Sequence, residues 1–278
     1  MFKLLCSLVF CAVLSSCANP LEAPVLRPLG AEAQALTATR LDALLPMDVL
    51  LLGEQHDASE HQQIHQHVIA LLAQRGLLGA VALEMADAGV STAKLHPSST
   101  EQEAKNALKW SDKSWPWEAY GPAVMTAVRA GVLVVGANLP GESMRASMGD
   151  STLDGQLPGP ALKAQQQNIR IGHCNLLPES QITPMTRIQI AKDMRMAATL
   201  KELALPGKVV VLLAGSGHTD RLLGVPQHLP PSLTVKAVRL RAGDAAAADK
   251  TEAFDAVWPT PALPETDYCT DFKAQMAR

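Results

Sequence analysis

The stretch VLLLGEQHD, residues 49–57, sets the fold of this 278-residue chain. Its apolar run at 49–52 is typical of a strand that is buried on both faces, and Gly53 ends that run. Residues 58–75 then carry apolar side chains at helical spacing, and residues 79–83 form a second apolar run. Strand, helix and strand in this order form a βαβ unit. The sequence therefore predicts an α/β fold with a mainly parallel sheet flanked by helices.

Later apolar runs extend this pattern along the chain. They lie at residues 131–135, 208–213 and 233–240. The last of them alternates more with polar residues, which favours an edge strand. Helical patterns between the runs predict insertions near residues 86–130 and 150–203 that form a subdomain. We expect a single domain over residues 41–278, because the chain is long enough for one large core.

Composition excludes one class of partner. The formal net charge is -3, and Lys and Arg are scattered evenly along the chain. Proteins that bind nucleic acids present a basic stripe to the phosphate backbone. We therefore expect no nucleic-acid partner.

The N-terminus has the layout of a secretory signal. A lone Lys3 precedes an apolar stretch and then small residues, which end in LSSC. This end resembles the lipobox of bacterial lipoproteins, in which residues 1–16 are removed and Cys17 receives a diacylglycerol. An ordinary signal with a chance cysteine is the alternative. We expect residues 17–40 to comprise the lipidated cysteine and a tether, and the absence of Asp after Cys17 favours the outer membrane.

Two cysteines remain in the mature chain, Cys174 and Cys269. An oxidising compartment would allow them to form one disulfide. Two free buried thiols are the alternative, because sequence does not give the Cα separation that a bridge requires.

Polar side chains follow the buried runs at three separate strand ends. Glu54 and His56 come after the first run, Glu84 ends the second, and His218 follows the run VVVLLAG. The carboxyl ends of parallel strands meet at one edge of a sheet, where ligands bind in open α/β folds. We therefore expect these four side chains to lie together.

Such a cluster can do two kinds of chemistry. Glu54, His56, Glu84 and His218 could serve as general acid and base, and Glu54, His56 and His218 could bind a divalent transition metal. His61 and His65 share a face of the following helix and could bind a metal, although a solvated helix surface is the favoured interpretation.

The scarce aromatic residues concentrate in KWSDKSWPWEAYGP, residues 109–122. This segment contains three of the four tryptophans, Trp110, Trp115 and Trp117, and the tyrosine Tyr120. Packing within the helical insertion is the favoured interpretation. The alternative is a flat apolar surface for a planar ligand such as a porphyrin, whose iron can take a tyrosine oxygen. His173 stands beside Cys174 in what we interpret as a strand-to-loop junction, and it is a further candidate for the pocket.

Several ordered blocks between Val49 and Cys269 resemble the ChaN-like family of haem-binding lipoproteins in bacterial iron uptake, which is related to the Tiki and erythromycin-esterase group. The blocks are LLGEQHD, ALEM, WPWEAYGPAV, VVGANLP, GHCNLLP, IQIAKDMRMA and LLAGSGHTDRLLGVPQHL. Their order is far more specific than a single GExH motif.

The resemblance implies an α/β fold with helical insertions and haem binding at the outer membrane. It makes Tyr120, His173 and His61 candidates for contact with haem, and Tyr120 matches a recurrent tyrosine of the family. The wider superfamily implies hydrolysis by the GExH and GxxH residues instead. We expect a tethered haem-binding lipoprotein for iron or haem uptake, with a Glu/His-dependent or metal-dependent hydrolase as the alternative. Expected partners are an outer-membrane receptor and a second copy of the chain that haem brings into a dimer.

Overall fold

The computed structural model describes residues 28–243 and 252–276. Within them, six parallel strands form one sheet in the order β3-β2-β4-β1-β5-β6. The strands are β1 (Val49–Glu54), β2 (Leu78–Asp87), β3 (Leu133–Asn138), β4 (Val209–Gly215), β5 (Val235–Ala242) and β6 (Ala256–Thr260). The predicted signal peptide and Cys17 lie outside the described residues.

Helices flank the sheet and form the insertions between strands. They are α1 (Ala31–Asp42), α2 (Ser59–Gln74), α3 (Glu101–Ala107), α4 (Trp117–Arg129), α5 (Gly141–Gly149), α6 (Gly159–Gly172), α7 (Glu179–Leu203), α8 (Ser216–Thr219) and α9 (Tyr268–Met276). Short 3-10 helices cover Ser151–Gly155 and Val225–His228. None of the helices in the described part of the chain is long and apolar enough to cross a membrane.

The sheet is buried on both faces, which explains the unbroken apolar run of β1. Leu50 and Leu52 pack into a core with α2 and α4, while Val49 and Leu51 pack on the opposite side with α7. All six residues of β1 are buried. Each face of the strand therefore meets a helix layer, as the α/β prediction requires.

The predicted fold class is confirmed, and three details differ. The run at 233–240 is not at an edge, because β5 pairs with β1 on one side and with β6 on the other. The edge strand β6 was not predicted, since it is short and contains Pro259, which is tolerated at an edge. Helix α1 begins within the predicted tether, and Thr37 is already buried there.

The predicted disulfide between the two cysteines of the mature chain is confirmed, and the alternative of two free thiols is wrong. Cys174 and Cys269 are bonded, with their Cα atoms 5.5 Å apart. The bridge links the turn between α6 and α7 to helix α9, across 95 residues of sequence.

The strand order also marks the place where a ligand can enter. The chain leaves β1 towards β2 on one side of the sheet, and it leaves neighbouring β4 towards β5 on the other. Open parallel sheets bind ligands at such a crevice, at the carboxyl ends of the strands. The ends of β1 and β4 therefore form the natural site.

Candidate functional site

Glycines allow the ends of β1 and β4 to approach closely. A Cβ on Gly53 would lie 2.1 Å from Thr219 Oγ1, and a Cβ on Gly215 would lie 2.8 Å from His56 Nε2. Both separations are shorter than van der Waals contact. Because these two glycines have no Cβ, the neighbouring side chains at the strand ends can occupy the space beside them.

Glu54 is the centre of a first buried group, which we call the Glu54 cluster (Glu54, His56, Gln62, His65 and Tyr120). Tyr120 Oη donates a hydrogen bond of 2.6 Å to Glu54 Oε1, and His56 Nδ1 lies 2.7 Å from the same oxygen. Gln62 Nε2 donates to Glu54 Oε2 at 2.8 Å. Burial disfavours the carboxylate, but the hydrogen bonds from His56 and Tyr120 and the charge of the His56 imidazolium outweigh it and lower the pKa of Glu54.

His56 is the member of this cluster that reaches solvent. Its side chain is 40% exposed, and its ring meets Trp115 edge-on at 4.8 Å between centroids. Burial opposes the imidazolium, yet Glu54 and Glu84 together raise the pKa of His56. The ring is therefore anchored through Nδ1 and presents Nε2 towards the second strand end.

His65 fills the space behind Glu54. It is fully buried, and its Nδ1 lies 3.6 Å from Glu54 Oε2, beyond good hydrogen-bond distance. Neither ring nitrogen has a hydrogen-bond partner within the described residues. Burial lowers the pKa of His65, so the ring stays neutral there.

A second buried group, the His218 cluster, comprises Glu84, Gln189, Asp193, Gly215 and His218. His218 Nδ1 lies 2.5 Å from Asp193 Oδ1, and His218 Nε2 lies 3.2 Å from Glu84 Oε1. The amide of Gly215 donates to Glu84 Oε2 at 2.8 Å. One imidazole is thus held between two buried carboxylates.

The opposite charges in the His218 cluster stabilise one another. Burial opposes the imidazolium, but Glu84 and Asp193 prevail and raise the pKa of His218 to about 10. Burial raises the pKa of Asp193 to about 6, against the opposite influence of His218. Both groups are therefore charged at neutral pH, and the imidazolium lies between two carboxylates.

The predicted convergence of the four strand-end residues is thus present. The two clusters meet where His56 Nε2 lies 3.9 Å from Glu84 Oε2. Sequence reasoning missed Asp193 and Gln189, although both lie in the block IQIAKD. Their i, i+4 spacing places them on one face of α7, which is the signal that could have identified them.

The divalent-metal prediction is not supported. Across residues 28–243 and 252–276, no three His, Cys, Asp or Glu side chains are arranged to hold a metal ion. The physical reason is that Glu54 and His218 belong to separate clusters, where their polar atoms already bond to protein groups.

The histidines of α2 are not on a solvated surface, contrary to expectation. His61 and His65 are both fully buried. His61 Nδ1 accepts from the amide of Gln55 at 3.0 Å, and Nε2 lies 2.9 Å from Thr260 Oγ1. Burial lowers the pKa of His61 to about 4. His61 therefore connects α2 to the edge strand β6, and its contact with haem stays a prediction.

The aromatic segment packs within the α3–α4 insertion. Trp117 and Tyr120 are buried in the core on the α2 side of the sheet, and Trp110 contacts both rings. Tyr120 is only 1% exposed, and its oxygen is bonded to Glu54. The haem role of Tyr120 stays a prediction that would require its oxygen to leave this bond.

A different face carries exposed apolar side chains around the disulfide. We call it the strap face, and it comprises Ile171, His173, Leu176, Tyr268 and Phe272. Ile171 and Tyr268 are 59% and 56% exposed. His173 ends α6, and no strand-to-loop junction is found there; its ring contacts Phe272 of α9 at 5.7 Å between centroids.

The family model described as "Haem-binding uptake, Tiki superfamily, ChaN" matches residues 40–229. A structure of cofacial haem binding to ChaN of Campylobacter jejuni is 27% identical, covering 79% of this chain and 90% of that chain, with a TM-score of 0.66. No curated protein matches in sequence.

The type III effector HopBA1 shares the fold at 17% identity, covering 86% of this chain and 99% of that chain, with a TM-score of 0.51. The family model extends over more than half of the chain, from the last turn of α1 to the region after β4. The chain therefore belongs to the ChaN family of the Tiki superfamily.

Proposed function

We propose that this protein is a membrane-tethered lipoprotein that binds haem on the strap face and takes part in haem or iron uptake. Family membership supports haem as the ligand. The location rests on the exposed tyrosine Tyr268, which lies in α9, the helix that is bonded to the α6–α7 turn by the disulfide and contacts His173 through Phe272. The hydrolase alternative is not put forward, because the comparisons favour haem binding.

The choice of iron ligand follows from exposure. The sequence contains two tyrosines, Tyr120 and Tyr268. Tyr120 is buried with its oxygen bonded to Glu54, whereas Tyr268 is more than half exposed. A ligand must reach the iron of a large planar group without unpacking the core. Tyr268 meets this condition, and we assign it as the ligand.

The strap face has the chemistry that a porphyrin requires. Haem is flat and largely apolar, and its iron takes tyrosine oxygen or imidazole nitrogen. Ile171 and Leu176 supply apolar surface, while His173 adds an imidazole within the same few residues. Exposed apolar patches rarely persist on soluble proteins without a ligand or partner. The residues of the strap face therefore fit a haem group.

Asp57 is placed to assist this tyrosine. Tyr268 Oη donates a hydrogen bond to Asp57 Oδ2, and this bond raises the pKa of the phenol. When bound, haem supplies an iron that takes an anionic oxygen. The hydrogen bond holds the Tyr268 ring near the end of β1, and the phenol proton would pass to solvent when iron binds.

A haemin titration followed in the Soret region tests the proposal. We expect a stoichiometric spectral shift with the wild-type chain and a weaker affinity for His173→Ala. His96→Ala is the matched control, since His96 is exposed and bonds only to neighbouring serines among the described residues. A wild-type chain without a Soret shift would overturn haem binding.

The membrane tether rests on Cys17. We expect Cys17→Ser to leave the membrane fraction or to remain unprocessed, since lipid chains provide the anchor. Fractionation of cells that express either form measures this. Membrane retention of mature-sized Cys17→Ser protein would argue against the tether.

Haem has two faces, and the strap face covers one of them. We propose that a second copy covers the other, so that ligand promotes a dimer, and that an outer-membrane receptor exchanges haem with the protein. Sedimentation with and without haemin tests the dimer. A monomer in both conditions would contradict it.

A further inference from the structure

Helix α9 reaches the body of the protein through three side-chain contacts. Tyr268 donates to Asp57 at the end of β1, Cys269 is bonded to Cys174, and Phe272 meets the ring of His173. Residues 261–267, which lead into α9, form neither helix nor strand. The helix therefore spans from the strand-end site to the α6–α7 turn, and the disulfide is its one covalent contact in the described chain.

The turn that carries Cys174 has an unusual backbone. Cys174 and Asn175 have φ angles of 57° and 56°, in the left-handed region. The amide of Asn175 bonds to the carbonyl of Arg170, and that of Cys174 bonds to Ile171, so the turn ends α6 in a Schellman motif. Glycine is the usual residue at the position of Cys174 there, and a side chain costs about 1 kcal/mol. The cysteine occupies this position despite its local cost.

The bridge is open to reagents. Cys269 is exposed and Cys174 is half-buried. Accessible disulfides are the ones that thiols can reduce, through attack of a thiolate on one sulfur and release of the other. A dithiol would give two electrons and two protons to the bridge. The dithiol itself would be oxidised to a cyclic or protein disulfide, and Cys174 and Cys269 would become free thiols.

We propose that the Cys174–Cys269 bridge is a redox-controlled lock on the haem site, opened by a dithiol reductant. The inference rests on the proposed haem function. While the bridge is intact, it holds Tyr268 beside Asp57 and Phe272 beside His173. Reduction leaves α9 with two noncovalent side-chain contacts among those described, so the helix detaches and takes Tyr268 away from the strap face. Haem is then released.

The test compares oxidised and reduced forms of the full chain. Protein is treated with dithiothreitol without oxygen, and the reagent is removed before haemin is added, since free thiols can ligate iron. Haem affinity is measured in the Soret region. Amide hydrogen exchange of residues 268–276 reports independently on whether α9 stays bound.

We expect reduction to weaken haem affinity at least tenfold and to speed exchange in α9 at least tenfold. Cys269→Ser should reproduce both effects, and it changes an exposed residue outside the core. Cys174→Gly is the matched variant, because it removes the bridge and suits the left-handed backbone. If it behaves like Cys269→Ser, the loss comes from the bond and not from a strained turn.

The outcomes separate the two proposals. Haem binding by the oxidised form, with affinity or α9 exchange unchanged after reduction, would overturn the lock and leave the haem function intact. Loss of binding in Cys269→Ser with wild-type binding in Cys174→Gly would also overturn it. An oxidised chain that gives no Soret shift would overturn the haem function, and the lock with it.

Discussion

The Glu54 and His218 clusters differ from the strap face in how far their polar groups are exposed to solvent. In the clusters, Glu54, Glu84 and His218 are buried and bonded to protein groups. On the strap face, Tyr268 is exposed and has an acidic partner at its oxygen. The clusters hold three strand ends in place, whereas the strap face presents side chains that a ligand can reach.

Residues that meet in space are therefore not always accessible to a ligand. Residues with catalytic chemistry meet at the switch point of the sheet, as sequence predicts. Of them, His56 alone is substantially exposed. The remainder connect β1, β2 and β4 to α2, α4 and α7. We therefore expect changes in the clusters to alter stability first, and changes on the strap face to alter haem binding first.

The largest expected effect is that of His218→Ala. It removes the imidazolium between Glu84 and Asp193, so Asp193 loses its ion-pair partner and Glu84 keeps only the more distant Lys192 and His56. Breaking such a buried pair costs about 3–5 kcal/mol of unfolding free energy. Urea denaturation measures this loss, with His96→Ala as an exposed control expected to change it by less than about 0.5 kcal/mol. Equal stabilities of the two variants would show that the His218 cluster is not structural.

Alkaline pH should weaken the same cluster. The pKa of His218 is about 10 in the folded protein and 6.5 in the reference state. Its stabilisation is therefore complete below pH 6.5 and is lost as pH rises through 10. Asp193, with a pKa of about 6, adds no slope above neutrality.

Between pH 7 and 9.5 we expect the unfolding free energy to fall by up to about 1.4 kcal/mol per pH unit. Urea titrations at several pH values measure the slope. His218→Gln should flatten it, because the variant cannot titrate. A flat profile in the wild-type chain would contradict a charged His218.

A smaller loss of stability is expected for Tyr120→Phe. The ring remains, but Glu54 loses a hydrogen-bond donor at 2.6 Å. A buried charged acceptor without its partner costs about 1–3 kcal/mol. Tyr268→Phe is the matched control, since an exposed position should change stability by less than about 0.5 kcal/mol. Thermal and urea unfolding measure the stability of both variants. Equal losses of unfolding free energy would contradict the expectation that the Glu54 cluster contributes more to stability than the strap face.

The sequence predicted the sheet because β1, β2 and β4 are unbroken apolar runs bounded by glycine or polar residues. It predicted the meeting of Glu54, His56, Glu84 and His218 because parallel strands end at one edge. It could not show that these groups bond to one another, since Asp193 and Gln62 come from helices whose rotation depends on tertiary packing. The sequence predicted that Cys174 could form a disulfide, but it did not show the turn that carries Cys174, which has two successive left-handed residues.

Haem affinity of two tyrosine variants distinguishes a haem ligand on the strap face from one in the Glu54 cluster. Tyr268→Phe and Tyr120→Phe each remove one oxygen and keep the ring, so titration with haemin compares the exposed site with the buried one. We expect Tyr268→Phe to weaken binding at least tenfold and to shift the Soret band, and Tyr120→Phe to stay within about threefold of wild type. The reverse order, with Tyr120→Phe losing haem and Tyr268→Phe retaining it, would place the haem ligand at Tyr120 and contradict its assignment to Tyr268.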